Sequence, residues 1–249
     1  MRTKVLADPE AVAVAAADLF AAVVTARPHA VLALPTGRTA IPFYDELARR
    51  HAADQIHLGE ALAFNLDELM LPAEHPASFA SFMRRHAWER IGLDPARCDI
   101  PRAVSDYEAE CRRYDRSLAA AGRLDVAVLG VGADGHIAYN LPGPLESSTH
   151  VVELPDDLAE RLAAPPEWRP LRAITMGLGP VLGARLVLLM ATGESKAAAV
   201  RALVEGPEDD RWPCSLLRDH PELEVVIDRA AARDCPSLTE TVVAGEGPR

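Results

Sequence analysis

The 249-residue sequence predicts one α/β domain over residues 1–249, built on an open, mostly parallel sheet with helices on both faces. Three observations carry that expectation. Runs such as His29–Leu34, Ala61–Leu66 and Leu124–Val131 are apolar almost throughout, as strands covered on both faces must be. Each run ends in a turn, and the first is followed at once by apolar residues at helical spacing. The chain is also long enough to bury one large core without splitting.

Taken in order, Asp8-Pro9-Glu10 reads as a helix start: an Asp N-cap, Pro at the first helical position, then an acidic first turn. The Ala/Val-rich helix that follows runs to Ala26, and Pro28 stops it. His29–Leu34 is the first buried strand, ending in Pro35-Thr36-Gly37, and Thr39–His51 repeats Ile41, Tyr44, Leu47 and Ala48 on one helical face. Ala61–Leu66 is a second strand running into Asp67-Glu68. Ser78–Ile91 and Ser105–Ala121 read as amphipathic helices, and Leu124–Val131 as a third strand ending in glycines. Ala173–Met176, Leu186–Met190 and Glu224–Ile227 complete the strands, with a helix over Lys196–Glu205. The layout is Rossmann-like, so ligands are expected outside the strand C-terminal ends. Proline pairs bracket a polar, helix-poor stretch over 142–170, expected to form a lid, and the tail after Pro236 is expected to be loosely held.

Composition narrows the function. With 26 Lys+Arg against 37 Asp+Glu, the net charge of −11 argues against nonspecific binding to nucleic acid or to an acidic membrane. A few local cations and backbone N–H groups can still hold a phosphate. Met1–Leu6 is followed by no signal-peptide core, and no uninterrupted apolar stretch reaches the roughly 18 residues of a membrane span, so a soluble, cytoplasmic protein is expected. The four cysteines form no C-x-x-C pair and read as buried or incidental thiols; the histidines form no zinc motif, and no metal is expected. A homo-oligomer remains compatible with the sequence.

Four segments carry chemistry. Pro35-Thr36-Gly37-Arg38-Thr39 joins a strand to a helix through a glycine turn, a cradle for phosphate in which Arg38 adds a cation and Thr39 a hydroxyl. An ordinary turn capped by Thr39 explains it equally well. Asn65-Leu66-Asp67-Glu68 sets two carboxylates past a buried strand, with Asp67 a candidate base; a solvated loop capping the next element is the plainer reading. In Gly130-Val131-Gly132-Ala133-Asp134-Gly135-His136 the glycines permit a sharp turn, and Asp134 stands two residues from an imidazole it can orient for acid–base work. Lys196 opens a helix, where a lysine is mildly unfavourable and makes better sense if an anion sits there; a surface lysine explains it equally well.

Together and in this order, these segments resemble the glucosamine-6-phosphate deaminase and 6-phosphogluconolactonase superfamily. The landmarks are Leu34-Pro35-Thr36-Gly37, Phe64–Glu68, Leu71–Phe79, Gly130–Asn140, Gly193–Lys196 and Trp212–Leu217, which span nearly the whole chain. The finer pattern is similar to the deaminase branch. That resemblance implies isomerisation of an amino-sugar phosphate followed by loss of ammonia, with no metal or organic cofactor. Asp67 would move the proton between C2 and C1. His136, oriented by Asp134, would assist ring opening. Thr36, Gly37, Arg38, Thr39 and Lys196 would hold the phosphate, and Arg161 is the candidate for a further phosphate arginine.

Two departures stand out. Deaminases follow this histidine loop with a glutamate, and here Leu141 stands instead; Leu141-Pro142-Gly143 is more similar to the lactonase branch. That branch expects an arginine after Asp-Glu, where this chain has Leu69. A phosphosugar lactonase in which His136 activates water is therefore the alternative, and a catalytically impaired sugar-phosphate-binding protein is a third. The stretch Thr149–Glu153 lacks the cations of allosteric deaminases, so that regulation is not expected.

Overall fold

The computed structural model describes residues 1–162 and 166–238. Its strands are β1 (Arg2–Leu6), β2 (Val31–Leu34), β3 (Leu62–Asn65), β4 (Asp67–Leu69), β5 (Cys98–Asp99), β6 (Val126–Leu129), β7 (His150–Glu153), β8 (Arg172–Thr175), β9 (Leu186–Ala191) and β10 (Leu223–Asp228). Seven of them form one sheet in the order β1-β10-β9-β6-β2-β3-β5, and every pairing in it is parallel. The helices are α1 (Pro9–Ala26), α2 (Ala40–Ala52), α3 (Phe79–His86), α4 (Tyr107–Ala121), α5 (Asp156–Arg161), α6 (Leu178–Leu182), α7 (Ala197–Val204) and α8 (Arg229–Ala232).

Side chains alternate between two cores, which is how an apolar run becomes a strand coated on both faces. Val31 and Ala33 of β2 enter one cluster, with Tyr114 and Leu118 of α4 and Val200 and Leu203 of α7. Leu32 and Leu34 enter the other, with Phe20 of α1 and Phe43 and Leu47 of α2. Helix starts follow the expected chemistry: Asp8 accepts the N–H of Ala11 at 2.8 Å ahead of Pro9, and Asp106 that of Ala109 at 2.9 Å. By length and composition α1 could cross a bilayer, but Asp18 interrupts it and its Val12, Ala16, Phe20 and Val24 edge is buried.

Several elements depart from expectation. The Ser78–Ile91 helix ends at His86, because Ala87 leaves helical geometry before a 3-10 turn over Trp88–Ile91. β1 is an edge strand whose polar Arg2, Thr3 and Lys4 hide it from an apolar search. The larger correction is a second sheet. β4, β8 and β7 pair antiparallel in that order, so Ala173–Met176 does not extend the main sheet. The 142–170 stretch is short of helix, as read, but not irregular: it contains β7, hydrogen-bonded to β8, then the six-residue α5. The expectation for the tail lies mostly outside the described residues.

Chain order locates the crevice. From β2 the chain proceeds to β3 and β5 on one side, then returns to β6, β9 and β10 on the other. Adjacent β2 and β6 thus straddle the switch point, where sheets of this kind open a cleft beyond their C-terminal ends.

Candidate active site

The loop after β2 is held from below by α2: the buried Tyr44 hydroxyl donates to the Pro35 carbonyl at 2.6 Å. Gly37 sits at φ +104 with open space where a Cβ would stand, so its role is conformational. Among the described residues, the N–H groups of Gly37, Arg38 and Thr39 make no hydrogen bond, and the Thr39 side chain does not cap α2. Three open donors, a hydroxyl and the exposed Arg38 guanidinium thus lie within one short loop at the start of α2. That is a place for an anion.

Across the crevice, the loop after β6 is tightly self-bonded. Gly132 donates to the His136 carbonyl at 2.9 Å, and Gly135 to that of Gly132 at 3.1 Å. A Cβ on Gly132 would lie 2.3 Å from His136 Nδ1 and 2.5 Å from Asp134 Oδ1, so only glycine leaves room for the pair. Asp134 Oδ1 stands 2.7 Å from His136 Nδ1, an ion-pair contact lacking a hydrogen bond's alignment. Partial burial raises the Asp134 carboxyl, but the imidazole outweighs it and draws the group down to about 2. Ala138 adopts a left-handed φ of 53, a strain that Asn140 holds by donating to the carbonyls of Ile137 and Met176, each at 2.9 Å.

The carboxylates after β3 occupy no solvated loop. Asp67 and Glu68 begin β4 and are buried, at 6% and 2% exposure. Glu68 does reach the next element, accepting the N–H of Phe79 and of Ala80, each at 2.7 Å, at the start of α3. Asp67 Oδ1 is buried without a hydrogen-bond partner. Burial first, then the Glu68 charge, pushes the Asp67 carboxyl up to about 8; burial takes Glu68 to about 7 against the pull of its N–H donors. An unsatisfied, proton-hungry carboxylate at a strand end is unusual unless it is used.

These pieces meet through residues that the sequence reading missed. Asp67 pairs with Thr175 of β8, whose Oγ1 accepts the Tyr139 N–H at 3.0 Å. The Tyr139 ring stacks on Phe79 and lies 6.0 Å from the His136 ring, centroid to centroid. A polar Thr175 between the apolar Ile174 and Met176 was the available signal. Leu141 packs into the same small cluster as Phe79 and Tyr139.

Lys196 ends a 3-10 turn after β9 and precedes α7, half-buried. Adjacent parallel strands β3, β2, β6 and β9 thus carry, at one edge, Asp67, the Thr36–Thr39 loop, the Asp134–His136 loop and Lys196. Arg161 ends α5, and its side chain lies outside the described residues. The four cysteines are free, three of them buried, as expected for structural thiols. Among the described residues no cluster fit to hold a metal occurs.

Over residues 7–226 the sequence matches the family described as glucosamine-6-phosphate isomerases/6-phosphogluconolactonase. It is 38% identical to a glucosamine-6-phosphate deaminase of Halothermothrix orenii, covering 87% of this chain and 92% of that one. It is 38% identical to the enzyme of that name from Mycolicibacterium smegmatis, covering 94% and 92%. Among solved structures, a monomeric glucosamine-6-phosphate deaminase superposes with a TM-score of 0.89 at 35% identity, covering 94% of this chain and all 100% of that one. A 6-phosphogluconolactonase from Trypanosoma brucei follows the same fold at 20% identity and a TM-score of 0.77, covering 94% and 98%.

Proposed function

Because the chain belongs to the glucosamine-6-phosphate isomerase/6-phosphogluconolactonase family, we propose that it converts glucosamine 6-phosphate, or a close analogue, into the ketose phosphate and ammonia. One observation carries the reading: a buried carboxylate without a partner, Asp67, at the edge where the glycine loop presents an imidazole held by Asp134. The phosphate rests on the N–H groups of Gly37, Arg38 and Thr39, with the hydroxyls of Thr36 and Thr39 and the charge of Lys196, and Arg161 as a further candidate. His136, oriented by Asp134, moves the proton between ring oxygen and anomeric hydroxyl as the sugar opens. Asp67 then takes the proton from C2 and returns it to C1, while O1 gains a proton and the amine gives one up, leaving a hydroxyl at C1 and an imine at C2. Water adds there, the C–N bond breaks, and ammonia departs.

Asp67 must be ionised to start, and a bound cationic amine favours that form of a buried carboxylate. The same reading makes this a soluble, cytoplasmic enzyme that needs no second chain to complete its site. Activity retained at a dilution where sedimentation gives a single monomer-size peak checks that last point, whether or not the chain forms a homo-oligomer at higher concentration; activity lost on dissociation refutes it.

The test is ammonia and ketose release from glucosamine 6-phosphate, run beside hydrolysis of 6-phosphogluconolactone. Turnover of the lactone alone transfers the site to water activation by His136. Sugar-phosphate binding without either reaction makes it a binding protein. Leu141→Glu sharpens the outcome: if deamination appears only in that variant, the wild-type chain has left the reaction.

A further inference from the structure

Glu68 is a buried carboxylate to which the proposed reaction assigns no proton. Its Oε1 accepts the N–H groups of Leu69 at 2.8 Å and Phe79 at 2.7 Å, and its Oε2 that of Ala80 at 2.7 Å. Ser78, the N-cap of α3, accepts the Ser81 N–H at 3.1 Å, and Glu68 takes the two first-turn donors that Ser78 leaves, so it is fastened to the helix start as a second cap. Its surroundings are apolar, with Leu69, Leu71 and Phe79 beside it in one cluster, so an ionised side chain there is costly. Successive strand residues face opposite ways, so Glu68 anchors the side of β4 away from Asp67. Phe79, fastened by that anchor, stacks on Tyr139 at 6.0 Å and 18°, and Tyr139 leans on His136. One carboxylate is therefore tied to both halves of the centre.

We propose that Glu68 is a positioning residue for the proton transfer: fixed on the first turn of α3, it sets the placement of Asp67 and, through Phe79 and Tyr139, of His136, and it keeps a negative charge beside Asp67. The inference rests on Asp67 as the proton carrier. The other groups facing this pair are Tyr44 of α2, Tyr114 of α4 and Tyr139 toward Asp67, and Arg84 of α3 and Tyr139 toward Glu68. Of these only Arg84 is cationic, and it supports the ionised form of Glu68. The negative neighbour that holds the Asp67 proton on is Glu68.

The experiment compares Glu68→Gln, which keeps shape and loses charge, with Glu68→Asp, which keeps charge and shortens the anchor. In Glu68→Gln, kcat on glucosamine 6-phosphate falls about tenfold or more with KM within about twofold, and the acid limb of the kcat profile moves about one pH unit lower. In Glu68→Asp, kcat falls while the limb stays put. A limb unmoved in Glu68→Gln overturns the inference, because a purely structural carboxylate lowers activity without touching the Asp67 titration. If the Gln variant does not fold, Glu68→Asp decides alone: wild-type kcat refutes, a lowered kcat at constant KM supports. Titration of the Asp67 carboxyl carbon by NMR in the substrate-free protein separates the two levels. If the wild type turns over no sugar phosphate, the reaction falls, and this titration still decides whether Glu68 governs Asp67.

Discussion

The two carboxylates read as Asp67 and Asp134 face each other's chemistry from opposite environments. Asp134 sits on a half-exposed glycine loop of the main parallel sheet, beside an imidazole, and its carboxyl is drawn down to about 2. Asp67 sits in the small antiparallel sheet, buried next to a second carboxylate, and its carboxyl is pushed up to about 8. One is permanently ionised near neutrality and suited to orienting a partner; the other is poised to exchange a proton. Two environments, rather than two residue types, divide the labour.

Removing the poised group has the largest expected effect. Asp67→Asn lowers kcat by on the order of 10³-fold, measured as ammonia release. It also stabilises the protein, with a sign that follows from the raised carboxyl. Unfolded, Asp67 ionises near the ordinary 3.8 of an aspartate; folded, at about 8. The folded state holds the extra proton between those values, so wild-type stability declines as pH rises through that window. The melting advantage of Asp67→Asn therefore grows from pH 5 to pH 8, on the order of a few kcal/mol at most. An advantage that shrinks with pH would break the contrast between the two regions.

On the other side, His136→Gln lowers kcat by about 10²-fold or more while the melting curve stays near wild type. Gly132→Ala comes next. Its Cβ cannot coexist with the Asp134–His136 contact, so activity falls about tenfold or more and about 1–3 kcal/mol of stability goes with it, read by kcat and denaturant midpoint. Thr175→Val has the smallest effect: the Tyr139 N–H loses its acceptor, costing about 1–3 kcal/mol, with a several-fold loss of kcat.

The same contrast explains what was legible in the sequence. The Asp134–His136 loop follows an apolar strand with glycines at the turn, and both signals are local. So are the Thr36–Thr39 turn and the central strands β2, β6 and β9, whose burial on both faces leaves unbroken apolar runs. In the small sheet only β8 left such a mark, because β4 begins with two carboxylates and β7 with a histidine. β4 pairs with a segment over a hundred residues away, and the Asp67–Thr175–Tyr139 connection exists only in three dimensions. Asp67 was found as a strand-end residue, while its burial and the anchor supplied by Glu68 were not.

That long-range pairing has a consequence for the protein as it is made. Synthesis proceeds from the N-terminus, so Asp67 leaves the ribosome long before Thr175, its strand partner. β9 and β10, which lie between β1 and the rest of the sheet, emerge later still. A nascent chain released ahead of β8 carries the imidazole loop complete in sequence and Asp67 on an unpaired strand. Chains cut short there would lack the buried carboxylate environment altogether, so activity arises only once the last third of the chain has been delivered.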